Sequence, residues 1–174
     1  MTHTTEAHTV EPQSFLRSLD EQFAQIHERS CAMLRVIPPD VLYAPPREDV
    51  GKSERAFPVQ SCGEYILRAA AAVEQTFGGI TANLWDDPFE WTLPETLSTP
   101  ERVTEYLSEV ESTRRRAFDS FHADAELQKE LVVPSGATKT LCALLLETLT
   151  RAAHYQGCAA AVFQLFSTAR LPIV

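Results

Sequence analysis

Apolar residues recur along the chain at steps of three and four. Leu16, Leu19, Phe23, Ile26, Ser30 and Met33 form one such stripe. Val103, Leu107, Val110, Ala117 and Phe121 form another, with a gap at Arg114. Leu141, Leu145, Thr148, Ala152, Tyr155, Ala159, Val162 and Phe166 form a third, nearly continuous one. That spacing places each set on one side of an α-helix facing a core. The 11 prolines leave four long proline-free windows, 13–37, 59–87, 101–133 and 135–171. Proline lacks the N–H and clashes one turn back, so helices fit in the gaps between prolines. The pattern predicts four helices and an all-α fold, a four-helix bundle.

Helix starts are also written in the sequence. Ser61-Cys62-Gly63-Glu64 has capping-box spacing. Thr99-Pro100-Glu101 reads as an N-cap, a proline at the first helical position and an acid suited to the helix dipole. Gly78-Gly79 is expected to end or fray the second helix. The stretches 38–58 and 85–100 are too long for tight hairpins. The second carries Trp85 and Trp91, expected to pack over the bundle as a cap. Residues 1–12 read as a disordered tail and 13–174 as a single domain.

The formal net charge of -9 argues against a nucleic-acid partner, because duplex binding needs a basic surface to displace counterions. The one dense basic run, Ser112 to Phe118, reads as a solvated helix face, since Glu111 lies four residues before Arg115. Cys31, Cys62, Cys142 and Cys158 form no CxxC, and no Cys/His pair has zinc-finger spacing. Reduced, mostly buried thiols are expected. The first residues lack an apolar signal core, and no run of about 18 apolar residues exists. No membrane partner is expected, and the cytoplasm is the default location.

Phosphate loops, the GxSxG elbow, HExxH and Glu-x-x-His are all missing from the sequence. The histidines are 3, 8, 27, 122 and 154, and no two are three or four apart, so no helix offers a two-histidine clamp. His27 and His122 sit at helix margins and read as satisfied or exposed.

The segments Pro58 to Ala70, Thr99 to Phe118 and Leu144 to Pro172, in this order, resemble the DinB/YfiT-like superfamily. The resemblance covers residues 13–172. It implies an up-down-down-up bundle with a long crossover between the second and third helices, and a homodimer. It also implies a divalent ion, nickel or zinc, held by three histidines. Several members of that superfamily are thiol transferases or thiol-dependent isomerases.

The resemblance puts the first metal ligand at Arg68, seven residues after Ser61. The other two lie four apart on the last helix, and two registers are open. One places them on Thr150 and His154. The other aligns Gly157 with the family glycine and places them on Arg151 and Tyr155. The second is preferred because Tyr155 lies on the apolar stripe, whereas His154 is rotated about 100° from it. In either register the three-histidine site is lost, since arginine has no lone pair to give a metal.

Arg68, Arg151 and Tyr155 would form a cationic fork with a phenolic donor, suited to a small anionic ligand. The competing reading is a polar network, because Glu64 and Glu147 each lie four residues before one of the arginines. Two further readings stay open. One is a metal-dependent thiol transferase using His154 with His27, His122 or an acid. The other is a structural dimerisation module. Cys158 reads as an inert thiol with no basic neighbour on its helix.

Overall fold

A computed structural model describes residues 13–46, 60–88 and 96–169. The expected tail, residues 1–12, lies outside the described residues, as do Trp91 and residues 170–174. The protein is mostly helical: α1 (Ser14–Leu34), α2 (Pro39–Leu42), α3 (Cys62–Ala82), α4 (Pro100–Asp119) and α5 (Leu141–Phe166). α2 is a single turn inside the first long connection, which the proline-window reading did not resolve. None of the described helices is long and apolar enough to cross a membrane.

α3 starts where the sequence says. Ser61 Oγ accepts the Glu64 N–H at 3.2 Å, and Glu64 Oε2 accepts the Ser61 N–H at 2.7 Å. A reciprocal cap of this kind stabilises a helix start by about 1 kcal/mol. Gly78 and Gly79 do not end α3. It runs to Ala82 and stops at Asn83, which takes the left-handed conformation at φ 56°. Gly79 has a packing role instead: a Cβ there would lie 2.3 Å from the Trp85 ring. The Trp85 ring therefore packs closely on α3 at Gly79, while Trp91, the other tryptophan of the expected cap, lies outside the described residues. Gly63 admits Tyr43 in the same manner, 2.6 Å from where its Cβ would be.

α4 is capped by Thr99 Oγ1 and ends at Asp119, well short of its proline-free window. The chain then forms a 3-10 turn at Asp124–Gln128 and an antiparallel hairpin, β1 (Glu130–Val132) paired with β2 (Thr138–Thr140). Gly136 makes the hairpin turn with φ 81°. This segment does more than connect. α1 has no side-chain cap of its own. The Asp124 carboxylate supplies one, accepting the N–H groups of Phe15 at 3.0 Å and Leu16 at 2.9 Å. An acid at that place also suits the helix dipole.

α5 corrects the expected stripe. Its buried residues include Thr148, Ala152, Gln156, Ala159, Val162 and Phe163. Gln156, not Tyr155, continues the core line, and Phe163 takes the place of Phe166, which is exposed. Gln156 was hidden by its polarity. Its amide nitrogen donates to Ile26 O at 2.8 Å and Ser30 Oγ at 2.9 Å, so α5 is tied to α1 through two buried bonds. Unpaired, such a group would cost about 1–3 kcal/mol. Thr76 and Thr148 join α3 to α5 at 2.7 Å. Phe23, Phe77 and Phe118 pack ring on ring where α1, α3 and α4 meet. α3 lies against α5 and α4, and α1 lies against α4 and α5.

Candidate functional site

Arg68 lies in the second turn of α3, and Arg151 and Tyr155 lie one turn apart on α5. The packing of α3 on α5 brings all three to one small cleft, with Ala71, Ala72, Gln75 and Asp87. The alanines matter here: they leave room beside α3 for the long side chains opposite. The cleft encloses about 30 Å³, enough for a water or two. Arg151 Nη2 donates to Gln75 Oε1 at 3.2 Å and to the Ala72 carbonyl at 3.4 Å. The Tyr155 ring stacks on Tyr65, centroids 6.4 Å apart, which fixes the phenol at the cleft edge.

The remaining sequence candidates lie elsewhere. Glu64 is spent on the Ser61 cap, and Glu147 pairs with Lys139. The expected neutralisation of Arg151 by Glu147, one turn back, is replaced by neutral partners from α3. Thr150 is exposed and donates to the Leu146 carbonyl in its own helix. His154 is exposed, on the outer side of α5. His122 is exposed beyond α4, and His27 is half-buried on α1. Among the described residues, no group of three or more His, Cys, Asp or Glu side chains is arranged to hold a metal ion.

A second charged centre was misread from the sequence. Arg114 is buried, only 2% exposed, where a solvated face was expected; Arg115 and Arg116 are exposed as expected. Arg114 forms a two-point bond to Glu111, Nε to Oε2 and Nη2 to Oε1, both 2.8 Å. Its Nη1 reaches the Asp20 carboxylate on α1. Arg115 Nε adds a third bond to Glu111 at 2.7 Å. The Arg114 guanidinium also lies 5.4 Å from the Phe118 ring centre.

Burial pushes the Glu111 carboxyl up, but the Arg114 and Arg115 hydrogen bonds outweigh it and hold the group below its ordinary value. Burial likewise lowers Arg114, yet the Glu111 and Asp20 bonds leave it raised. The gap at Arg114 in the apolar stripe was the available signal. An arginine on the core line with a glutamate three before it reads as a buried pair.

The thiols also differ from expectation. All four cysteines are free, but only Cys62 is fully buried. Burial raises its thiol to about 12. Cys158 does have a basic neighbour, since His154 Nε2 lies 3.7 Å from its Sγ. No family model, curated protein or solved structure matches the chain.

Proposed function

We propose that the chain is a DinB-like four-helix bundle in which an arginine–tyrosine cleft stands where that superfamily holds its metal. The cleft binds a small anionic head group, a carboxylate or a phosphate. In this reading the long helices run up-down-down-up. The pairings Thr76 with Thr148 and Ala72 with Arg151 support opposed directions for α3 and α5. Tyr106 with Glu74 and Phe118 with Phe77 support a common direction for α3 and α4.

One observation carries the functional reading: Arg68, Arg151 and Tyr155, which the resemblance places at its ligand positions and which come from two distant segments, line the same cleft. Two guanidinium groups and a phenol supply donors but no metal ligand set. The cleft's size limits the ligand to a head group seated at the opening, with the rest of the molecule outside. Lewis-acid chemistry by a triad at this position has no donor set, so the reading is binding rather than catalysis.

Asp87 and Gln75, on the same cleft, favour a second reading, an internal polar network that ties α3 to α5. Calorimetric titration with phosphate and with acetate separates the two. Binding predicts saturable heat that falls about tenfold to a hundredfold in affinity in Arg151→Gln, the loss of one charged hydrogen-bonding partner. Heat of the same size in Arg151→Gln, or none in the native protein, leaves only the network.

A further inference from the structure

α5 carries three features on its outer side that nothing inside the chain explains. First, His154 Nε2 and Cys158 Sγ lie 3.7 Å apart. A tetrahedral zinc-class ion has metal–nitrogen bonds of about 2.0–2.1 Å and metal–sulfur bonds of about 2.3 Å, so two ligands on one ion stand about 3.6 Å apart. The pair is already at the bite distance of a chelate. Second, Gly157 sits between them in the helix interior, where glycine costs about 0.5–1 kcal/mol relative to alanine. Gly63 and Gly79 repay that cost by admitting the Tyr43 and Trp85 rings, but a Cβ on Gly157 would meet nothing within 4 Å. Third, the exposed positions beside and beyond the pair, Thr150, Ala153, Gly157, Ala161 and Leu165, are small or apolar. Glu147 and Arg151 are the charged residues on the exposed side of α5, and Arg151 lies one turn before His154.

We infer that His154 and Cys158 form half of a zinc-class metal site, completed by the same pair from a second copy of this chain. Two chelating pairs related by a two-fold axis supply two nitrogens and two sulfurs, the full tetrahedral set for a structural zinc. The bare glycine and its alanine neighbours let two α5 helices approach closely enough to share one ion. Cys158 gives its thiol proton to solvent on binding.

The similar pair on α1, His27 with Cys31 at 3.6 Å, does not offer this. Both side chains are half-buried, and burial raises the Cys31 thiol, opposing the thiolate a metal requires. The His154 ring lies 5.7 Å from the Tyr155 ring at the cleft edge, but the inference does not depend on the function proposed for the cleft.

Cobalt(II) titration of the full chain tests the inference, with the molecular mass followed by light scattering in zinc and in chelator. The expected result is a thiolate-to-cobalt absorption band saturating at half an ion per chain, and a dimer in zinc that reverts to monomer in chelator. Cys158→Ser and His154→Ala each remove the band and the dimer, while Cys31→Ser and His27→Ala leave both. The tail histidines, His3 and His8, carry no thiol and give no such band. Absence of the band overturns the inference. So does its survival in Cys158→Ser, its loss in Cys31→Ser, or saturation at one ion on a monomer.

Discussion

Two arginine sites lie on opposite sides of α3, and they are built differently. Around Arg114 the partners are two carboxylates, an aromatic face and the Asp20 backbone carbonyl, and the guanidinium is sealed from water. Around Arg151 the partners are a side-chain amide and a backbone carbonyl, and the residue is exposed. A cation matched by two carboxylates has its charge satisfied inside the fold, so its role is structural. A cation held by neutral acceptors is positioned but keeps its charge for whatever arrives from outside. Charge matching, more than the presence of arginine, separates the two centres.

Arg114→Leu breaks the comparison on the scaffold side and should have the largest effect. It leaves Glu111, 7% exposed, without its main partner, and removing one member of a buried ion pair costs about 3–5 kcal/mol. Urea unfolding measures this directly. Replacing Glu111 by leucine in the same chain should restore most of the stability. A matched apolar pair is often as stable as the ions it replaces, and Asp20 is 42% exposed and keeps its water. A double variant as weak as the single one would show that the cluster acts by more than charge matching.

Glu111→Gln is the next step down. It removes charged hydrogen bonds to Arg114 and Arg115 but keeps the shape, at a cost of about 1.5–3 kcal/mol. It also changes the response to acid. A carboxyl held below its ordinary value contributes stability that is present above about pH 4.3 and is lost as pH falls through its lowered value. Melting curves between pH 5 and pH 2, roughly the span of that linkage, should lose that part of their slope in Glu111→Gln.

The two sites were unequally legible in the sequence. The helix starts at Ser61 and Thr99 could be read because capping is local chemistry over four residues. Arg151 and Tyr155 were named together with Arg68 from a resemblance, and the packing of α3 on α5 brings the three to one cleft. Arg114 was misread because a basic run looks solvated unless the helix face is known, and its partner Asp20 is 94 positions away. Gln156 was missed for the same reason: hydropathy counts it as polar, while its partners at Ile26 and Ser30 make it a core residue. The hairpin at Glu130–Thr140 was lost because a proline-free window permits a helix without requiring one. Local rules reveal ends and caps. Long-range pairing decides which polar residues lie inside.

On the site side, Arg151→Gln should hardly affect stability, within about 0.5 kcal/mol, because an exposed residue with neutral partners has little to lose. The contrast with Arg114→Leu is then several kcal/mol for the same loss of charge. An Arg151→Gln variant destabilised as strongly as Arg114→Leu would erase the distinction and make the cleft a second structural network.

The smallest effect concerns His27, which lies beside the Arg114 cluster on α1. Burial lowers its pKa from 6.5; Glu111 and Glu28 oppose this, and Arg115 and Arg114 reinforce it. An imidazole with a lowered folded value binds a proton more readily in the unfolded chain. Its contribution is therefore fully present above about pH 6.5 and declines as pH falls toward the folded value. His27→Gln should flatten the stability profile just below that pH and leave it unchanged at pH 8. In Glu111→Gln alone, with His27 intact, the histidine loses the acid that most opposes the effect of burial, and its titration should move further down. Proton NMR of the imidazole follows that shift directly. An upward movement would mean that the cluster, read here as a closed ion pair, presents a net positive field relieved at His27 by some group other than Glu111.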